Sequence, residues 1–328
     1  MSDPIKVLVI IDIAPAARDR FASLGYDVVL AGEVGGRDAA IEVASDARVV
    51  LTNGSLGLRT DEIARLPKLE LILAIGAGFE KIDVALATER GITVTNGRGT
   101  NTIAVADHAM TLLLAAAATI VPANAAVKRG EWSNFASPRK AGGARTDFPF
   151  KRVGVTGRRL GILGLGMIGT AIAKRAALGF DMEIAYHNRS VVPDVPYAYL
   201  PSLLDLAAWA DFLMIAAPGG AGTQHIVNAD VLAALGANGY LVNIGRGSIV
   251  DTDALVAALR EGTIAGAALD VVEGEPNIPP ALRELDNLLL TPHMAGRTEE
   301  AITLMQDQVA RNLVHFANGD PLENVVNP

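Results

Sequence analysis

Three ionisable residues stand just past apolar runs in the last third of the sequence: Arg246 after "YLVNIG", Glu275 after "AGAALDVVEG" and His293 after "NLLLTP". Ligands of open parallel sheets sit beyond the carboxyl ends of the strands, so three successive strands would deliver these side chains to one edge. The set suits keto-acid chemistry. A planar guanidinium clamps a carboxylate and polarises the neighbouring carbonyl. An imidazole passes a proton to the carbonyl oxygen as hydride reaches the carbon, and a carboxylate beside it favours and orients the charged ring. A lone histidine after a strand is more often structural, and it is the ordered trio that points to chemistry. His108, His225 and His315 have no such company in the sequence and read as structural.

Hydride transfer needs a donor. "RRLGILGLGMIGTAIAKRAALGF" puts Gly164, Gly166 and Gly169 directly after an apolar strand and at the opening of a helix. This is the context a dinucleotide site requires. The first glycine makes the tight turn, the second lets backbone approach the pyrophosphate, and the third lets helix and strand pack closely. Met167 and Ile168 begin the helix, whose free N–H groups and positive dipole end suit phosphate. At the end of the next strand an NAD site places an acid on the ribose 2′-hydroxyl. Here "EIAYHNRS" has no acid there: His187 takes its place, followed by Asn188, Arg189 and Ser190. A carboxylate would repel a 2′-phosphate, whereas Arg189 pairs with one, helped by Ser190, Asn188 and His187, so the stretch reads as selective for NADP(H).

Short β-branched runs alternate with helical stretches along the whole chain, which predicts parallel sheets covered by helices. One series, "IKVLVII", "YDVVLA", "ARVVLTN", "LELILAIG" and "GITVTN", makes a first sheet. A long helix from Asn101 to about Ile120 and a Gly/Pro-rich basic arm follow. A second series, from "RRLGILG" to "NLLLTP", then makes a second sheet. Thr298 to Asn318 carries Ile302, Met305, Val309, Leu313 and Phe316 at helical intervals and reads as an amphipathic helix packing back on the first sheet.

With 328 residues, half of them hydrophobic and a fifth charged, the chain has the composition of a compact enzyme of about two domains. The absence of cysteine excludes a disulfide framework or thiolate metal site and fits a cytoplasmic protein, and no metal is suggested. A net charge of −8 argues against nucleic acid as partner. The apolar run Val7 to Ile11 is too short for a signal peptide, and "AMTLLLAAAATIV", closed by Pro122, is too short to span a membrane. From Lys128 to Arg159 nine basic residues accompany two acids, which reads as a solvated connecting arm.

"GILGLGMIG", "LVNIGRGSIVDTDALVAAL", "GAALDVVEGEP" and "LLLTPHMAGRT" together resemble the D-isomer-specific 2-hydroxyacid dehydrogenases, in the same order and over nearly the whole chain. The resemblance implies an α/β fold of two doubly wound parallel-sheet domains, with a Rossmann cofactor domain (residues 101–293) inserted into a flavodoxin-like substrate domain (residues 1–100 and 294–328). It implies Arg246, Glu275 and His293 as the catalytic set, with His293 as acid in reduction and base in oxidation. Asp270 matches the position holding the nicotinamide carboxamide. Ala217, Pro218, Thr223 and Ile244 match cofactor-lining positions, and Val105 the residue facing the nicotinamide. Ala77 and Gly78 in "AIGAGFEKID" match a glycine turn whose N–H groups, with Arg246, bind the substrate carboxylate. Members are usually homodimers joined through the helix and arm beyond the crossover. "YHNRS" and "APGGAGTQHIV" are similar to the NADPH-dependent glyoxylate/hydroxypyruvate reductases and hydroxyphenylpyruvate reductases, with 2-ketogluconate reductases close by. The formate branch has Gln where Glu275 stands. In some glyoxylate/hydroxypyruvate reductases a Trp on the arm reaches the partner's pocket, and Trp132 is open to that role or to none. The substrate expected is a small 2-keto acid; a larger aromatic or sugar keto acid, or a dinucleotide-sensing protein without turnover, remain the alternatives.

Overall fold

The computed structural model of the protein describes residues 4–132 and 152–328. The chain divides into two compact units, one made of Met1–Thr102 with Gly296–Pro328 and the other of Ile103–Ala295.

The first unit is built on β1 (Ile5–Val9), β2 (Tyr26–Leu30), β3 (Val49–Asn53), β4 (Leu71–Ile75) and β5 (Thr93–Asn96), all parallel, in the order β2-β1-β3-β4-β5. Both faces of this sheet are covered, which is why its strands are continuous apolar runs. Leu8, Val50, Ile72 and Val94 join the core on one face. Val7, Val9, Leu71 and Leu73 join Phe21, Val309 and Leu313 on the other. Val309 and Leu313 come from the helix Glu299–Asn318, which Thr298 caps by accepting the Ala301 N–H at 3.2 Å. Ile302, on the same expected stripe, stays exposed.

The second unit holds β6 (Arg159–Leu163), β7 (Glu183–His187), β8 (Ala198–Tyr199), β9 (Phe212–Ile215), β10 (Tyr240–Asn243), β11 (Gly266–Leu269) and β12 (Leu288–Leu290). Their order is β12-β11-β10-β9-β6-β7-β8. The chain winds outward from β6 to β8, then returns to β9 on the other side, so the order reverses at β6, where a crevice for ligands forms. Register aligns the carboxyl ends: Leu163 pairs with His187 and Ile215, Asn243 with Ile215 and Leu269, and Leu269 with Leu290. Whatever follows these residues emerges along one edge.

The long helix expected from Asn101 to about Ile120 is two helices, Thr102–Ala117 and Ile120–Lys128, set 62° apart. Thr119 makes the break with a left-handed φ of 50°. Pro122 does not close the apolar segment; it lies in the first turn of the second helix, where its missing N–H would have had no partner. No single helix among the described residues is long and apolar enough to cross a membrane. Most of the basic arm, residues 133–151, lies outside the described residues.

Candidate active site

Asn243 ends β10 inside the sheet, fully buried, and builds the turn that carries Arg246. Its Oδ1 accepts the Gly245 N–H at 3.0 Å and its Nδ2 donates to the Arg246 carbonyl at 2.9 Å. The Arg246 guanidinium donates to the Gly245 carbonyl at 2.7 Å. Gly247 must be glycine, because a Cβ there would enter the Val272–Glu273 backbone. The turn after β10 therefore lies against the segment after β11 that carries Glu275.

Beyond β12, His293 adopts a left-handed φ of 49° and donates its N–H to the Asp270 carbonyl at 2.8 Å. That conformation is uncommon for a residue with a side chain and is held in place by the surrounding bonds. The imidazole Nδ1 meets Glu275 Oε1 at 2.5 Å. With Nδ1 engaged by the carboxylate, Nε2 is left for exchange of a proton. The Glu275 carboxyl is shifted below its ordinary value. Burial is the largest single influence and raises it, but the hydrogen bond from His293, the charge of His293, the Val272 N–H and the charge of Arg246 together outweigh it. Three residues from three strand ends thus form one electrostatic group.

Asp270 is buried at the end of β11 and saturated with donors. Its Oδ1 accepts from Thr291 Oγ1 at 2.6 Å and Met294 N at 2.9 Å, and its Oδ2 accepts from Ala295 N at 3.0 Å. The carboxylate therefore pins both sides of His293. His108, which has no company in the sequence, brings Nε2 to 3.1 Å from Thr291 Oγ1 and 3.4 Å from Asp270 Oδ1. His225 also has a partner: its Nε2 lies 2.8 Å and 2.9 Å from the two oxygens of Glu273. Sequence spacing hides both pairs; the only advance signal is a polar residue in an apolar run, as with Asn243 and His108.

At the carboxyl end of β6 the three glycines differ in what limits them. A Cβ on Gly164, which has φ 98°, would come within 2.5 Å of Ala217 N, and one on Gly169 would enter the Gly164 carbonyl oxygen. Gly166 is different: a Cβ there would meet no protein atom. The fold needs the first and third glycines, whereas the space beside the second is open to a ligand's phosphates. Gly166 also caps the helix Met167–Phe180 without a side chain, leaving the first-turn N–H groups unused by any cap. These residues fit a dinucleotide.

The neighbouring turn is tied to this one. Asn188 Oδ1 accepts the Leu165 N–H at 2.7 Å, and the His187 carbonyl accepts the Gly164 N–H at 3.0 Å. His187 Nδ1 donates to the Leu200 carbonyl at 2.9 Å while its ring stacks on Tyr199. Asn188 and His187 therefore hold the turn, and Arg189 and Ser190 stand exposed. Ala217, Ile244 and Val105 are buried; Val105 and Ile244 share one core cluster, against which Ile168 packs. Met167 and Pro218 are exposed, and Thr223 Oγ1 donates to the Pro218 carbonyl at 2.9 Å. Ala77 and Gly78 lie in the first unit, in the turn after β4.

A family model described as "D-isomer specific 2-hydroxyacid dehydrogenase, NAD binding domain" matches residues 110–295. The chain belongs to the D-isomer-specific 2-hydroxyacid dehydrogenase family. It is 42% identical over 280 residues to a glyoxylate/hydroxypyruvate reductase of Arabidopsis thaliana, covering 85% of each chain. It is 40% identical over 286 residues to a hydroxyphenylpyruvate reductase of Plectranthus scutellarioides, covering 87% of each. Its fold is similar to that of an NADPH-dependent glyoxylate/hydroxypyruvate reductase of Sinorhizobium meliloti, solved with NADP and malonate. The TM-score is 0.86 at 35% identity, over 99% of this chain and 97% of that one. As a member of this family the protein is an oxidoreductase, and its second unit is the family's dinucleotide-binding domain.

Proposed function

We propose that the protein reduces small 2-keto acids, with glyoxylate and hydroxypyruvate as the preferred class, to 2-hydroxy acids at the expense of NADPH. The observation that carries this is the meeting of His293 with Glu275 at 2.5 Å, with Arg246 close enough to influence the carboxyl, along the strand edge that also bears the glycine turn. When bound, the reduced nicotinamide supplies hydride to the carbonyl carbon. Arg246 holds the substrate carboxylate and polarises the carbonyl. His293 gives the proton at Nε2 to the carbonyl oxygen, and Glu275 stabilises the imidazolium that does so and fixes its orientation. Asp270 holds the chain on both sides of His293 and stands where the nicotinamide carboxamide is bound. Gly164, Gly166, Met167, Ile168 and Gly169 receive the pyrophosphate, with Ala217, Pro218, Thr223, Ile244 and Val105 lining the rest of the cofactor.

Arg189 and Ser190 bind the 2′-phosphate, with His187 and Asn188 shaping their turn. No acid stands there to prefer the free hydroxyl, and the likeness to reductases named for NADPH supports this choice. In the first unit, Ala77 and Gly78 offer N–H groups to a carboxylate. The protein acts as a homodimer, a state favoured by exposed Ile120 and Val121 on the second helix of the broken pair. Trp132 is also exposed. A cytoplasmic site of action fits the cysteine-free composition.

The test is oxidation of NADPH over glyoxylate, hydroxypyruvate, 2-ketogluconate and hydroxyphenylpyruvate, repeated with NADH. Turnover with the first two and a clear preference for NADPH are expected. Preference for an aromatic or sugar acid would move the substrate class, and binding without turnover would make the protein a dinucleotide sensor.

A further inference from the structure

Two carbonyls in the turn after β4 are captured by the strand end beside it. The Gly76 carbonyl accepts the Gly97 N–H at 2.6 Å, and the Ala77 carbonyl accepts from Asn96 Nδ2 at 2.8 Å. A trans peptide carries its C=O and N–H on opposite sides, so each captured carbonyl turns the next N–H away from its captor. Those are the N–H groups of Ala77 and Gly78, and neither donates a hydrogen bond among the described residues. Gly76, at φ 82°, permits the reversal. Successive N–H groups displayed in this way form a concavity suited to an anion.

Asn96 is itself fixed from all sides. It is buried, its carbonyl accepts from Gln308 Nε2 at 3.0 Å, and its N–H donates to the Asn324 carbonyl at 3.2 Å. Its Oδ1 accepts the Arg98 N–H at 3.3 Å. The amide can face only one way, because exchanging oxygen and nitrogen would set donor against donor and acceptor against acceptor. On the far side of the turn, a Cβ on Gly54 would come within 2.5 Å of the Gly78 carbonyl carbon, so the turn is clasped between Gly54 and Asn96.

We propose that Asn96 is a positioning residue for the substrate carboxylate: its side-chain amide holds the Ala77 carbonyl and so presents the Gly78 N–H to the anion. This role presupposes that Ala77 and Gly78 bind the carboxylate, as set out under the proposed function.

The experiment compares Asn96→Asp, Asn96→Ala and Gly54→Ala in the full-length protein, measuring KM for glyoxylate, kcat, KM for NADPH and the melting temperature. Asn96→Asp keeps the shape, removes the donor and sets negative charge against the Ala77 carbonyl. Gly54→Ala displaces the turn without touching Asn96. All three are expected to raise KM for glyoxylate by about tenfold, the effect of one weakened hydrogen bond to a charged group. KM for NADPH and kcat stay at the wild-type values. If Gly54→Ala raises KM while the Asn96 variants bind glyoxylate normally, the role of Asn96 is overturned and that of the turn stands. If Gly54→Ala leaves KM unchanged, Ala77 and Gly78 do not bind the carboxylate and the role of Asn96 falls with them. A parallel rise in KM for NADPH would show general disruption and equally overturn it. Should Asn96→Ala fail to fold, the near-isosteric Asn96→Asp decides.

Discussion

Glu275 Oε1 and His293 Nδ1 lie 2.5 Å apart, while Glu275 Oε2 is tied back to the Val272 N–H at 3.4 Å. One carboxylate thus spans from its own loop to the residue beyond the next strand. Replacing Glu275 with Gln removes the anion but not the shape. The imidazole loses the anion that orients it and favours its proton-donating form, so kcat/KM for glyoxylate should fall by about tenfold or more, the effect of one charged hydrogen bond. An unchanged kcat/KM for glyoxylate would remove Glu275 from this role.

The same pair makes stability depend on pH, with a definite sign. The folded Glu275 carboxyl sits below its ordinary value of 4.5. A depressed carboxyl contributes stability that is complete above the ordinary value and is lost as pH falls through the folded one. The difference in urea midpoint between the wild type and Glu275→Gln should therefore be full near neutrality and shrink once pH drops below the ordinary value. A difference that grows in acid would contradict the pairing.

Arg246→Lys keeps the charge and loses the planar fork. Bidentate contact with a carboxylate is not available to an ammonium. kcat/KM for glyoxylate should fall by about ten- to a hundredfold, the equivalent of one charged hydrogen bond, with KM for NADPH unchanged. Steady-state kinetics at saturating NADPH give the answer directly.

Arg189→Ala separates the two cofactors. Arg189 is exposed and is not needed to hold its turn, which Asn188 and His187 secure. KM for NADPH should rise by roughly tenfold or more while KM for NADH stays constant, because only the former carries the 2′-phosphate. An unchanged KM for NADPH would place the phosphate elsewhere.

How much of this was legible beforehand depended on whether the deciding contact was local. Runs such as Val7–Leu8–Val9 are apolar because both faces of their sheet are buried, and all three are fully buried. Arg246, Glu275 and His293 could be picked out because each follows such a run, and parallel pairing aligns the ends. The glycine turn carries its own spacing. By contrast, β8 is two residues long and shows no periodicity, and the break at Thr119 is a backbone choice that a run of apolar residues conceals. The company of His108 was invisible because Thr291 lies 183 positions away in the chain. Pro122 misled because proline ends a helix from within but is tolerated in its first turn.

The glycines of the turn after β6 offer the sharpest separation of folding from binding. A Cβ on Gly169 would enter the Gly164 carbonyl oxygen, a backbone atom that cannot step aside, so Gly169→Ala should lower the melting temperature markedly, with a cost on the order of 1–3 kcal/mol from overpacking. Gly166 has no protein atom near its missing Cβ and a φ of −91°, which any residue adopts. Gly166→Ala should therefore melt within a few degrees of the wild type, because the gain from restricting the unfolded chain is set against alanine's poorer fit at the helix N-cap. Its added methyl occupies the space proposed for the pyrophosphate, so binding of NADPH, followed by fluorescence titration, should be severely weakened. A Gly166→Ala protein that is stable and binds NADPH normally would show that the phosphates do not approach this turn.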